Sequence, residues 1–428
     1  MRSEEDLVRT LRAGAGHVTP SGGLAAAVAA RRRTRRRRQW AGTALAAASV
    51  VLVAGGMAAM WQGTPSVSLR PAVAVTTMPP AEEVTVQPAE EVTVQPAEDV
   101  TVKPAAEVWP EAVFTMPAAA SDGWKYRPVT GISPTEVLLT AESSFEKAGR
   151  LEVYDASTGD VRVVGKMPAP EGVKGYYVQG VEVGEEHFAW YGTTPNNSDK
   201  WADFWVIPRE GGTARRLGEV TGDPADVERI GVTDDSLVWS LRQGGVYRIS
   251  LSGGQAEKVE GSDGLHLTSW PHAVGYAPGE RGQKNQNRRV NLVTGEVTEI
   301  PVPPATTKLT CAAEWCYGAA AGDGGLVVQR ADGSDIRQFP SLSYFGELLG
   351  DRFAPVMPNR GDADPAKEYV APVAVYDPAT GLIGGVHRMS PDKPTGYGSG
   401  TSSSPTTIMY WGEGPKVTVL NLAAVTRR

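Results

Sequence analysis

One short phrase recurs along this chain and limits what it can fold into. An apolar run rich in Val, Tyr and Trp is followed by a second run, a tight turn carrying glycine, and a third run. The clearest copy is Ser236-Leu-Val-Trp-Ser-Leu241, a Gly244-Gly245 turn, Val246-Tyr-Arg-Ile-Ser-Leu251, a Gly253-Gly254 turn and Gln255-Ala-Glu-Lys-Val259. In its middle run Tyr247, Ile249 and Leu251 fall on one face and Val246, Arg248 and Ser250 on the other, the period of two that a strand requires. Equivalent phrases begin at Val137, Phe188, His272, Trp315, Phe353 and Ile408, at intervals of roughly 35 to 55 residues. A sheet this small cannot bury both faces alone, so each unit must stack on its neighbours, and radial closure also protects the strand edges. The expected fold is all-β, a β-propeller with seven blades. Six blades is the alternative, if the short last copy completes the first blade or two irregular copies share one sheet. An array of Ig-like domains is disfavoured because the spacing is too short for separate sandwiches.

The strand, Gly-Gly or Asp-Gly turn, strand phrase resembles the repeats of TolB-like and related WD40-like bacterial propellers over about 300 residues. The resemblance implies a fold and a binding platform; it does not imply a particular activity.

The first part of the chain has another character. Residues 1–38 hold ten Arg and three acids, a charge of +7, so the remaining residues carry −14 of the total of −7. No charged residue occurs from Gln39 to Leu69, and Ala41 to Met60 is almost wholly Ala, Val, Leu, Gly and Met. Twenty such residues span a hydrocarbon core of about 30 Å. Trp40 and Trp61 bracket the run, and seven Arg between Arg31 and Arg38 lie on one side only. The positive-inside bias therefore predicts a single transmembrane helix at 39–61, with 1–38 a basic, helical cytoplasmic tail and the rest extracytoplasmic. A cleaved secretory signal is the competing pattern, opposed by the length of the run and by Trp61 at the expected cleavage position. Lipid bilayer is thus the predicted partner of residues 41–60. Residues 3–13, a short acidic-capped amphipathic segment, would suit a cytoplasmic regulator. The order of tail, Arg run, span and outer domain resembles membrane-bound anti-sigma factors and their neighbours, although His17 stands in the tail without the paired Cys of the zinc type. Nucleic acid is not an expected partner, because topology and anionic headgroups account for the Arg cluster.

Residues 62–118 form a spacer with an octapeptide repeat, Pro80-Ala-Glu-Glu-Val-Thr-Val-Gln87, then copies from Pro88 and Pro96 and a partial copy from Pro104. Proline every eighth position with acids between predicts extended or disordered chain rather than a core. The propeller is expected over 119–428.

Signatures of chemistry are sparse. Cys311 and Cys316, on the oxidising side of the predicted topology, are expected to form a disulfide. The five His make no His-Glu-x-x-His pair, and Gly396-Tyr-Gly-Ser-Gly400 lacks the strand and helix context of a phosphate loop. Asp362, Asp364 and Glu368 match no complete calcium ligand set. No catalytic residue, metal ligand or cofactor is assigned. Trp190, Trp201 and Trp205, close together in one copy, are candidates for a ligand surface, with packing between blades as the alternative. The function predicted is a non-catalytic binding, scaffold or sensing module that meets a protein or cell-envelope ligand. The rival is an extracytoplasmic propeller enzyme of lactonase, lyase or glycosidase type, and what converges on the central channel separates the two.

Overall fold

Each of the first six recurrent phrases folds as the second, third and fourth strands of an antiparallel blade, the last as the second and third, and a further strand precedes each on the inner side. The computed structural model describes residues 95–96 and 101–426, apart from 144–147, 195–199, 279–283, 323, 360, 362–368, 390–395 and 413. The tail at 1–38, the apolar run at 41–60, most of the octapeptide copies and the acidic residues Asp362, Asp364 and Glu368 lie outside the described residues. Among the described residues no helix is long and apolar enough to cross a membrane.

Seven sheets follow one another: blade 1 at 125–166, blade 2 at 177–221, blade 3 at 227–258, blade 4 at 266–299, blade 5 at 306–339, blade 6 at 342–385 and blade 7 at 397–421. Seven blades, not six, is therefore the architecture. The short last copy does not complete blade 1; it is the middle of a blade of its own. That blade takes its outermost strand from Val113–Pro117, which pairs antiparallel with Lys416–Asn421. The N-terminal side of the domain thus closes the ring, using residues whose proline content places them in the spacer. Two further pieces from that region, Gln95–Pro96 and Lys103–Pro104, add fifth strands to blades 5 and 6.

Glycine at the blade turns has a conformational reason. Gly244, Gly245, Gly253 and Gly254 of blade 3 all sit at positive φ, between 87° and 134°, where a Cβ would clash with the backbone.

The core lies between blades rather than within one layer. Blades 2 and 3 share a large cluster in which Phe204 meets Trp239 at 4.3 Å between ring centroids. Blades 1 and 2 enclose Val129, Leu138, Leu151, Phe188, Trp190 and Ile207. Burying side chains of this size contributes roughly 1.5–3 kcal/mol each. Between blades 4 and 5 the corresponding cluster is only Ile300, Leu309, Cys311 and Cys316, with Ala331 at its edge. There the two cysteines are joined in a disulfide across directly paired positions of the first two strands of blade 5.

Candidate functional site

The innermost strands face the propeller axis, and one loop decides how much of the channel stays open. The chain between the first and second strands of blade 7 is Gly400-Thr-Ser-Ser-Ser-Pro-Thr-Thr407. Short hydroxyl residues and Pro405 keep it out of a helix, and its backbone finds partners on other blades instead. Ser402 N donates to Val129 O at 3.2 Å and Ser403 N to Val181 O at 2.8 Å. Ile230 N donates to Ser403 Oγ at 2.7 Å, and Ser404 N to Glu182 Oε2 at 2.6 Å. Blade 7 is thereby tied across the axis to blades 1, 2 and 3. Gly400 is required at the start of this crossing, since a Cβ there would stand 2.1 Å from Val129 O.

Glu182, on the inner strand of blade 2, is the charged anchor of the plug. Burial pushes its carboxyl up to about 7, against the hydrogen bonds from Ser404, which favour the ionised form.

Blades 3 to 6 leave the other side of the channel open as a cavity of about 410 Å³. This is the size of a small-ligand site. Its wall is polar. Glu228 and Arg229 come from blade 3, His266 and His272 from blade 4, and Glu347 and Asp351 from blade 6. Blade 5 contributes Cys311, with Ala312 and Ala313 of the turn closed by the disulfide.

One imidazole–carboxylate contact and one ion pair organise the wall. His266 Nδ1 lies 2.6 Å from Glu228 Oε2, and the imidazole stands edge-on to Tyr276 with centroids 5.1 Å apart. Ser240 Oγ donates to the same Glu228 oxygen at 3.3 Å. Arg229 Nη2 meets Glu347 Oε2 at 3.1 Å, and its Nη1 donates to Thr268 O at 3.3 Å. Arg289 Nη1 is held by Ala313 O at 3.0 Å, on the pocket turn. Burial, helped by Arg289, lowers the pKa of His272 and so favours its neutral form. Burial likewise raises Tyr276, keeping its phenol protonated. The arrangement offers donors, acceptors and an aromatic edge to a polar ligand. Among the described residues no group of three His, Cys, Asp or Glu stands close enough to hold a metal ion.

The tryptophans singled out in the sequence are placed elsewhere. Trp190 is fully buried and Trp205 nearly so, with their rings parallel and 6.2 Å apart between blades 1 and 2. Trp205 Nε1 donates to buried Asp203 Oδ2 at 2.8 Å. Trp201 sits at the other end of its strand, half-buried, donating to Glu219 Oε2 at 3.1 Å beneath the Arg216 guanidinium. The three do not share one surface: strands inside a blade are covered on both faces, and aromatic rings of this size fill the space between blades. Of the predicted residues only Cys311 lines the cavity. Gly396–Gly400 is not a phosphate loop; it contains Tyr397–Ser399, the inner strand of blade 7.

No protein-family model matches the chain, and no curated protein matches it. Solved structures do. An oligogalacturonate lyase from Vibrio parahaemolyticus is 12% identical with a TM-score of 0.38, over 61% of this chain and 76% of that one. YCF48 bound to D1 peptide is 10% identical with a TM-score of 0.39, over 72% and 95%. The acylaminoacyl peptidase of Pyrococcus horikoshii is 14% identical with a TM-score of 0.40, over 60% of this chain and 45% of that one. The assignment as a seven-bladed propeller rests on the strand pairing of the chain itself.

Proposed function

We propose that this chain is a single-pass, membrane-anchored bacterial propeller of TolB-like or WD40-like kind, whose extracytoplasmic domain binds a ligand in the open half of its channel without transforming it. The carrying observation is that pocket. It is large enough for a small polar ligand or the end of a peptide, and two of its carboxylates already have partners in the wall, Glu228 with His266 and Glu347 with Arg229. Paired charges present oriented donors and acceptors while limiting the desolvation cost of binding. Membrane attachment through residues 41–60 and a regulator at residues 3–13 belong to the same reading, which makes the propeller a sensor or scaffold at the envelope.

The enzymatic reading has one observation of its own. The channel mouth is polar, and His266 with Glu228 has the composition of a general base and its orienting carboxylate. Incubating full-length protein with cell-envelope extract and analysing what it retains by mass spectrometry separates the two. Binding predicts a retained, chemically unchanged component that Glu228→Gln and Arg229→Gln lose; a component released in cleaved or eliminated form would sink the non-catalytic reading.

A further inference from the structure

The octapeptide copies and the blade edges keep step with each other. Gln95–Pro96 pairs in parallel with Arg337 and Gln338 on the outer strand of blade 5. Lys103–Pro104 pairs the same way with Gly384 and Gly385 on the outer strand of blade 6. The two docked dipeptides stand eight residues apart and occupy the same place in the repeat, the junction between one copy and the next. Eight residues reach about 26 Å when fully extended, so one copy is long enough to step from one blade edge to the next. The last residue before the second dock, Val102, packs against the cluster shared by blades 5 and 6.

The site on blade 6 is shaped to receive backbone. A Cβ on Gly384 would lie 2.5 Å from the Trp109 ring, and one on Gly385 2.5 Å from Tyr369 Oη. Past the dock, Ala105 and Trp109 are buried on that same edge before the chain reaches Val113–Pro117. Proline suits the outermost position, because a strand with no donor there closes the sheet against further pairing.

We propose that the octapeptide repeat is a girdle: the outer edges of blades 5 and 6 are docking surfaces, and their occupant is this chain's own Val-Thr-Val-Gln/Lys-Pro segment. The repeat length is set by the step between blade edges, so whole copies are interchangeable and fractions of a copy are not. The girdle also covers the route to the strand that closes blade 7.

Hydrogen exchange on the full chain tests this through the amides of Arg337–Phe339 and Leu382–Gly385, with Arg215–Thr221 on the outer strand of blade 2 as the reference for an intact fold. Deleting residues 88–95 removes one whole copy and leaves Pro-Ala-Glu-Glu-Val-Thr-Val-Gln in front of Pro96; both edges are expected to stay protected. Deleting residues 98–101 leaves about 10 Å of chain between the docks. One of the two edges is then expected to lose its protection while blade 2 keeps its own. Gly384→Val should expose the blade 6 edge alone. The girdle is refuted if the half-copy deletion leaves both edges protected, if the whole-copy deletion exposes the blade 5 edge, or if neither edge is protected in the unaltered chain. Should the half-copy deletion unfold blade 2 as well, Gly384→Val decides the matter, and an unchanged blade 6 edge overturns the proposal.

Discussion

The two sides of the ring are built differently. Blades 1 to 3 pack Trp190, Trp205, Phe204 and Trp239 between them, and the channel beside them is crossed by the Ser/Thr loop of blade 7. Blades 4 and 5 meet over four buried residues, two of which are the bonded cysteines, and the channel beside them is open and charged. A polar cavity removes apolar contacts from the blades that form it, and the covalent link belongs to the small cluster beside it. The difference teaches that a closed ring tolerates a thin interface beside dense ones, and here a strand pair on the thin side is tied within its own blade by the disulfide.

The largest expected effect lies on the dense side. Trp239 is fully buried, stacks on Phe204 and donates its indole N–H to Pro224 O at 2.9 Å. Trp239→Ala is expected to cost about 4 kcal/mol in denaturant unfolding, whereas Leu309→Ala at the thin interface should cost nearer 2. Equal losses would mean that the two interfaces contribute alike.

Next comes the plug. Glu182 has its carboxyl raised from 4.5 to about 7 in the fold. An acid whose pKa is raised on folding adds stability in full below its unfolded value and loses it as pH rises through the folded value. Folding stability is therefore expected to fall by about 3 kcal/mol between pH 4.5 and pH 8 on account of this group. Glu182→Gln keeps an acceptor for Ser404 N and should flatten that slope, leaving the variant more stable than the parent at pH 8. A slope unchanged by the substitution would place the charge outside the plug's energetics.

The staple is expected to give a smaller effect. Opening Cys311–Cys316 by Cys311→Ser with Cys316→Ser removes a small loop closure worth about 2 kcal/mol. Hydrogen exchange should rise at blades 4 and 5 and stay level at blades 2 and 3, since the cysteines belong to the cluster of blades 4 and 5 only. A uniform rise would argue against a thin interface.

How much of this was written in the sequence depends on which strand carries the signal. The second and third strands of every blade, and the fourth of blades 1 to 6, announce themselves through Val, Tyr and Trp runs and turn glycines, which is why seven units could be counted. The inner strands do not: His266–Ser269 and Leu342–Tyr344 are short, and their side chains answer to the channel rather than to a regular two-faced core. Val113–Pro117 was hidden by its proline-rich surroundings, although Met116 is buried like any core residue. The pocket had no spacing motif to find, because Glu228 and His266 are 38 residues apart and Arg229 and Glu347 are 118 apart. Only the ring brings them together. The tryptophans are ambiguous in sequence for the opposite reason: neighbours on paired strands of one blade suit a surface or a packed seam until a second blade is in view, and Trp190 and Trp205 lie in the seam.

The central claim is that the open half of the channel is where this protein meets its ligand. A photo-crosslinking amino acid at Tyr276, on the cavity wall, and another at Val163, 57% exposed on the outer strand of blade 1, put it to the test in the cells that make the protein. The account expects a discrete adduct from position 276 that Arg229→Gln abolishes, and none from position 163. Adducts from position 163 alone, or an adduct at 276 indifferent to Arg229→Gln, would contradict it.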